Sequence, residues 1–271
     1  MPEPYAFLKG HGTENDFVLL PDHDGTVHGD LSAERVRALC DRRAGIGGDG
    51  VLRVLRTDTG WFMDYRNADG SVAEMCGNGI RVFVRHLVEE GLVDPASPVE
   101  VDTRDGVKVI TVDGDLITAD LGTPRVLGET VVGVGTTSWP ARHVDLGNPH
   151  AVAFVDSLDP HGPVGPLLDP PSRDPETFPD GVNVEFVVRR GPRHVAMRVH
   201  ERGSGETRSC GTGACAVMVA SAVADGARPD GAEVAYRVDV PGGTLTVTWT
   251  ADDRVLLTGP AVIVARGTTS L

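Results

Sequence analysis

The sequence predicts an α+β chain made of two similar halves, each an antiparallel sheet curled around one central helix. Three observations predict it. Met75-Cys76-Gly77-Asn78-Gly79 and Ser209-Cys210-Gly211-Thr212-Gly213 share the pattern Cys-Gly-x-Gly, and each opens an apolar, helix-like run. Short β-type runs bounded by Gly, Asp and Pro fill most of the remaining chain. Neighbouring runs are joined by turn residues, so they read as hairpins.

In chain order, strand-like runs fall at Phe17–Leu20, Trp61–Tyr65, Val107–Val112, Leu116–Leu121, Ala151–Val155, Val184–Val188, His194–Val199, Thr244–Trp249 and Val262–Ala265. Asp113-Gly114-Asp115 turns Val107–Val112 back onto Leu116–Leu121. A helix is expected from Ser32 to about Arg43, with Ser32 as N-cap, Glu34 in the first turn and Gly45 as the stop. The Gly-rich stretch Gly45–Gly50 lacks the Lys-Ser/Thr of a phosphate-binding loop and reads as a turn into a strand starting at Val51. After Cys76, Ile80, Phe83, Val84, Leu87 and Val88 share one helical face, and Gly91 ends the run. After Cys210, Ala214–Ala224 is apolar on every side, the mark of a buried helix. The halves are expected to divide at residues 1–122 plus about 260–271, carrying Cys76, and 123–259, carrying Cys210. Leu158–Pro179 holds seven prolines and reads as an irregular surface excursion with one short helical turn.

Composition narrows the function. With 271 residues, 40% hydrophobic and 24% charged, the chain is of globular type and large enough to need no staples. A net charge of −14 with no Lys/Arg run argues against nucleic acid as a partner. No apolar run is long enough to span a membrane. Met1-Pro2-Glu3-Pro4-Tyr5 lacks the basic and apolar regions of a signal peptide, and four cysteines are too few for a disulfide scaffold. The expectation is a cytoplasmic protein with reduced thiols. The only lysines are Lys9 and Lys108, so a Schiff-base cofactor such as pyridoxal phosphate has few places to attach.

A thiol at a helix start is expected to have a lowered pKa, because the unsatisfied N–H groups and the helix dipole favour thiolate. The amides of Gly77-Asn78 and Gly211-Thr212 are placed to receive a carboxylate. If the two halves face each other, one thiol removes a proton while the other delivers one, which is the chemistry of inverting a stereocentre. A buried structural cysteine is the plainer reading of one such motif, but two at corresponding helix starts favour the paired one. Zinc is the next alternative. Cys210 and Cys215 point to different sides of one helix and cannot share an ion, and no metal site is expected. Cys40 and Cys215 read as core cysteines. Asn15, Asn67, Asn148, Asn183 and Arg202 stand in Gly-containing loops and together suit a polar zwitterion.

These blocks carry a resemblance. Gly12–Phe17, Asp41–Gly47, Asn67–Ser71, Cys76–Arg81, Gly147–His150, Asn183–Phe186 and Glu201–Ala214 occur in the order found in the diaminopimelate epimerase family. The resemblance implies two pseudo-symmetric lobes, each a curved antiparallel β-sheet around a central α-helix, with the active site in the cleft between them. It implies interconversion of LL- and meso-2,6-diaminopimelate, in lysine and cell-wall precursor synthesis, with no cofactor and no metal. Cys76 and Cys210 resemble the two catalytic bases. Asn15, Asn67, Asn148, Asn183 and Arg202 would hold the distal amino acid group. Gly77, Asn78, Gly211 and Thr212 would cradle the reacting carboxylate. His150 and Glu201 would tune the thiols and contact the ammonium group. The family implies a homodimer. Opposed thiols would be open to oxidation to a disulfide, inactivating and reversible by dithiothreitol.

Two positions depart from the family. Glu14 replaces a common Gly, so the first loop is expected to turn less tightly; Gly50 replaces a Gln found near the site in some members, so that contact is expected to be missing. The alternative reading is a two-cysteine racemase of the same fold acting on proline or hydroxyproline. That group carries His after the first Cys-Gly, where this chain has Asn78.

Overall fold

A computed structural model describes residues 3–271; Met1 and Pro2, which open the N-terminal segment read above, lie outside the described residues. The chain forms two units by internal contacts: residues up to Ala119 together with Gly259–Leu271, and Asp120–Thr258.

The first unit contains β1 (Tyr5–Gly12), β2 (Asn15–Pro21), α1 (Ala33–Cys40), β3 (Gly50–Thr57), β4 (Gly60–Asn67), α2 (Gly77–Glu89), β5 (Val99–Thr103), β6 (Gly106–Asp113) and β7 (Leu116–Asp120). The second contains β8 (Arg125–Val134), β9 (Thr137–Asp145), β10 (Pro149–Phe154), β11 (Asn183–Gly191), β12 (His194–Glu201), β13 (Gly205–Thr207), α3 (Gly211–Ala224), β14 (Val234–Val240), β15 (Gly243–Trp249) and β16 (Val255–Pro260). The last strand, β17 (Val262–Thr269), returns to pair with β1.

Each sheet is mainly antiparallel but carries two parallel pairs. These are β2/β3 and β4/β5 in the first unit, and β10/β11 and β12/β14 in the second. A parallel pair cannot be closed by a hairpin; it needs a long crossover. In each unit one crossover is the central helix: α2 joins β4 to β5, and α3 lies between β12 and β14. Both helices are buried because they pack against most strands of their own sheet.

The other crossovers differ. Between β2 and β3 the chain forms α1, whose Val36, Leu39 and Cys40 join Tyr5, Val18, Leu20 and Val51 in one core cluster. The matching β10–β11 crossover is the Pro-rich stretch. Prolines remove the donors a longer helix needs, so the stretch forms hydrogen-bonded turns and one short helical turn, closed by the Phe178 amide on the Asp174 carbonyl at 3.0 Å. It does not stay on the surface, against expectation: Val164, Leu167 and Phe178 are buried against Ala151, Ala153, Val184 and Phe186.

Two local expectations are corrected. Helix α1 ends at Cys40 because Asp41 turns to extended geometry and its carboxylate takes the amides of Arg43 and Ala44, both at 2.7 Å. The first loop is tight: Gly12 pairs directly with Asn15, and both turn residues, Thr13 (φ 49°) and Glu14 (φ 62°), are left-handed. Glu14 adopts the conformation that glycine would accept freely, so the turn keeps its shape. Among the described residues no helix is long and apolar enough to cross a membrane.

Candidate active site

Cys76 is the N-cap of α2. Its backbone is extended (φ −141°, ψ 120°), and Sγ accepts the Gly79 amide at 3.3 Å. Asn15, delivered by the tight β1–β2 turn, sits beside it. Asn15 Oδ1 accepts from Asn78 Nδ2 at 3.2 Å and from the Cys76 thiol at 3.7 Å. Asn15 Nδ2 donates to Asp49 Oδ2 at 2.7 Å, which fixes which way the amide points. Arg81, fully buried, donates to Asn78 Oδ1 at 2.5 Å and to the Pro260 carbonyl at 3.1 Å. The structure thus brings Asn15, Asn78 and Cys76 together. Asn78 spends its side chain on this internal network, and Gly77 opens the helix, aiming its amide out of the helix start. Asn67 ends β4, where it accepts from Tyr65 and donates to Ser71.

Behind Asn15 lies a charged cluster. Arg42 bridges Asp16 and Asp49, each at 2.7 Å, while Lys9 pairs with Asp16 and donates to the Gly47 carbonyl. Burial pushes Asp16 up, but its bonds to Arg42 and Lys9 outweigh this and hold it well below the usual carboxylate range. Asp49 moves the other way, raised by burial and by its neighbour Asp16. No side chain fits at Gly50, where a Cβ would meet the Arg66 carbonyl at 2.6 Å.

Cys210 is the N-cap of α3, with Sγ accepting the Gly213 amide at 3.3 Å. Thr212 Oγ1 lies 3.6 Å from Sγ and accepts from Asn148 Nδ2 at 3.3 Å; Asn148 Oδ1 in turn lies 3.0 Å from His150 Nε2. Glu201 accepts from Thr207 and from the Cys210 thiol. Asn183 donates to the Pro149 carbonyl and accepts the Arg202 amide at 2.9 Å, so it ties together the two loops that carry Asn148 and Arg202. The Arg202 side chain is exposed, its stem lying over Gly181. Gly211 matches Gly77 as the first helical residue.

The helix-start argument for a lowered thiol pKa fails at Cys210. Burial raises it well above the ordinary thiol value, and the Glu201 and Glu185 carboxyl groups raise it further. The Thr212 and Gly213 hydrogen bonds oppose this without reversing it. Glu201 is itself raised, chiefly by burial. Cys40 and Cys215 are buried core thiols, and burial lifts Cys40 to about 11. All four cysteines are free thiols.

Around the two cysteines the units correspond position by position. Phe17 pairs with Gly50 at the start of β2/β3, and His150 pairs with Asn183 at the start of β10/β11. Two positions on, Leu52 and Glu185 lie under the third helical residue, Gly79 and Gly213 respectively. Asn67 and Glu201 stand equally far before their cysteines, as do Asn78 and Thr212 after them. The Cys210 unit therefore has His150, Glu185 and Glu201 where the Cys76 unit has Phe17, Leu52 and Asn67. Glu185, Asp49 and Arg81 were absent from the residues the sequence nominated. The available signal was a charged residue inside an apolar run or beside a motif.

This two-unit architecture is shared with solved structures. One is a PhzF-family phenazine biosynthesis protein from Bacillus anthracis (TM-score 0.75, 17% identity, covering 99% of this chain and 100% of that one). Another is a hydroxyproline epimerase from Agrobacterium vitis (TM-score 0.65, 16% identity, covering 100% and 94%). At those identities the likeness is one of fold. The sequence goes further: the diaminopimelate epimerase family model matches residues 7–127 and 142–264, and the chain belongs to that family. It is 57% identical to the diaminopimelate epimerase of Streptomyces coelicolor, over 97% of this chain and 94% of that protein. It is 49% identical to that of Thermobifida fusca, over 96% of each.

Proposed function

We propose that this chain interconverts LL- and meso-2,6-diaminopimelate, with Cys76 and Cys210 as the two bases at one α-carbon. The observation that supports it is a free thiol capping the central helix in each unit of a chain 57% identical to a diaminopimelate epimerase. The α-proton of an amino acid is far less acidic than a thiol, so the developing carbanion needs strong stabilisation. Helix starts directed at the α-carboxylate supply it. Asn15, Asn67, Asn148, Asn183 and Arg202 hold the distal amino acid group, while the backbone at Gly77-Asn78 and Gly211-Thr212 receives the reacting carboxylate. His150 and Glu201 serve the Cys210 side, where burial and acidic neighbours favour the thiol form at rest.

The reaction runs without pyridoxal phosphate. Both lysines are ion-paired, Lys9 with Asp16 and Lys108 with Asp105, which suits neither for a Schiff base. A cytoplasmic homodimer working in lysine synthesis is the setting that the family suggests. The exposed Arg202 and the asparagine set suit a second amino acid terminus, which proline lacks. Incubation with LL-diaminopimelate in D₂O tests the proposal. Deuterium is expected at the α-carbon together with formation of the meso isomer. Absence of both exchange and isomer change refutes it.

A further inference from the structure

The strand after the Pro-rich crossover carries a carboxyl group with no assigned part in the site. Glu185 is fully buried on β11, and its Oε1 lies 2.6 Å from His150 Nδ1, also fully buried. Glu185 Oε2 has no hydrogen-bond partner among the described residues. The helix above fits closely over this group: a Cβ on Gly213 would come within 2.8 Å of Glu185 Oε1. In the other unit the same two places hold Leu52 and Phe17, both fully buried. An apolar pair fills this space in one unit, so packing alone does not call for an acid and an imidazole in the other.

Hydrogen-bond directions show what the polar pair does. Asn148 Oδ1 can only accept, so His150 Nε2 donates to it. Asn148 Nδ2 donates to Thr212 Oγ1, whose own proton is then directed at Cys210 Sγ. Every donor in this chain points toward the sulfur. With Nε2 protonated, His150 Nδ1 either accepts a proton from neutral Glu185 or, as imidazolium, donates to its carboxylate. One proton lies between them in both cases, and the pair is neutral overall. Remove Glu185, and the imidazole is free to carry its proton on Nδ1. Nε2 would then turn a lone pair on Asn148 Oδ1, the amide would flip, and Thr212 would donate to Asn148 instead of to sulfur.

The geometry points to Glu185 as a positioning residue: it holds His150 in the state whose Nε2 donates, and through Asn148 and Thr212 keeps a hydroxyl proton aimed at Cys210. This rests on the reading of Cys210 as one of the two bases. The other groups facing that sulfur are Glu201 on β12, which accepts the thiol proton, and the Gly213 amide of α3. Neither depends on Glu185 for its direction.

The test uses the full chain and iodoacetamide as probe, with alkylation of each cysteine followed against pH by peptide mass spectrometry. Glu185→Leu and Glu185→Gln both remove the carboxyl group that raises Cys210, so the comparison is between them. The Cys210 profile of Glu185→Leu, which installs the Leu52 residue type, is expected about one pH unit above that of Glu185→Gln, the scale of one hydrogen bond to an ionised group. The Cys76 profile stays in place. With LL-diaminopimelate, kcat falls about tenfold while KM changes less. Glu185→Gln, whose amide N–H can donate to Nδ1, keeps kcat within about threefold of the unmodified protein. Should Glu185→Leu fail to fold, His150→Phe/Glu185→Leu rebuilds the Phe17–Leu52 pair and is expected to show the same Cys210 shift. A Cys210 profile in the Leu variants no higher than that of the Gln variant overturns the proposal. If the unmodified protein does not turn over diaminopimelate, the substrate reading fails, and the alkylation profiles still decide the role of Glu185.

Discussion

Asp49 Oδ2 accepts from Asn15 Nδ2 at 2.7 Å, and this one bond settles the orientation of the amide beside Cys76. Asp49 also takes the Asp16 amide and one arm of Arg42, so it is held from three directions. Asp49→Ala would free Asn15 to rotate and withdraw Oδ1 from Cys76 and Asn78. The expected outcome is a rise of about tenfold in KM for diaminopimelate, the effect of roughly one lost hydrogen bond to a binding group. Asp49→Asn, which keeps an acceptor, should fall between. Unchanged initial-rate kinetics in Asp49→Ala would separate Asn15 from substrate binding.

The glycines three residues after the two cysteines are not equivalent. An alanine Cβ at Gly79 would lie 3.2 Å from the tip of Leu52, which can shift. At Gly213 it would lie 2.8 Å from Glu185 Oε1, which His150 holds in place. Alanine gains about 1 kcal/mol over glycine in a helix, so Gly79→Ala is expected to leave Tm level or raised. Gly213→Ala is expected to lower Tm and to reduce kcat by about tenfold. Thermal melts and rates on the two variants, side by side, check this; equal behaviour counts against the rigid Glu185.

Cys76→Ser and Cys210→Ser separate the capping role from the chemical one. A serine hydroxyl accepts the Gly79 or Gly213 amide as well as sulfur does, so both helices keep their caps and Tm should hold within about 3 °C. Neither serine provides a base near neutral pH, and each variant alone should lose about a thousandfold in epimerisation. Near-normal turnover by either one contradicts the two-base assignment.

What could be read from the sequence, and what could not, divides along physical lines. Cys76 and Cys210 were legible because a cap and the glycines after it are neighbours in the chain. The hairpin β6–β7 was legible for the same reason. Glu185 was not nominated, although an acid inside the apolar run Val184–Val188 was visible. Its meaning depends on the β10/β11 register that sets His150 beside it. Strands β8 and β9 escaped because Gly128, Gly133 and Pro140 interrupt them and Val131 is exposed. The Pro-rich crossover showed its irregularity, but the burial of Phe178 depends on a sheet face supplied by distant strands. The raised Cys210 follows first from burial and then from Glu201 and Glu185, none of which a helix-start argument contains.

His28 predicts an acid sensitivity remote from the site. It is 5% exposed, packs edge-to-face on Tyr5, and neither ring nitrogen has a hydrogen-bond partner among the described residues. Burial, aided by the nearby Arg35 charge, lowers its pKa from 6.5 to about 4. The folded state therefore refuses a proton that the unfolded chain accepts below 6.5. Its contribution is present above pH 6.5 and is lost as pH falls through 6.5 toward 4, at most about 3 kcal/mol. His86, His143 and His200 are lowered in the same direction and add to the slope. His28→Phe preserves the ring against Tyr5 and removes its titration, so urea unfolding at pH 7 and pH 5 should show a smaller loss of stability in the variant. An identical loss in the two proteins would mean that His28 is protonated in the folded state, with its charge met by a group other than Tyr5.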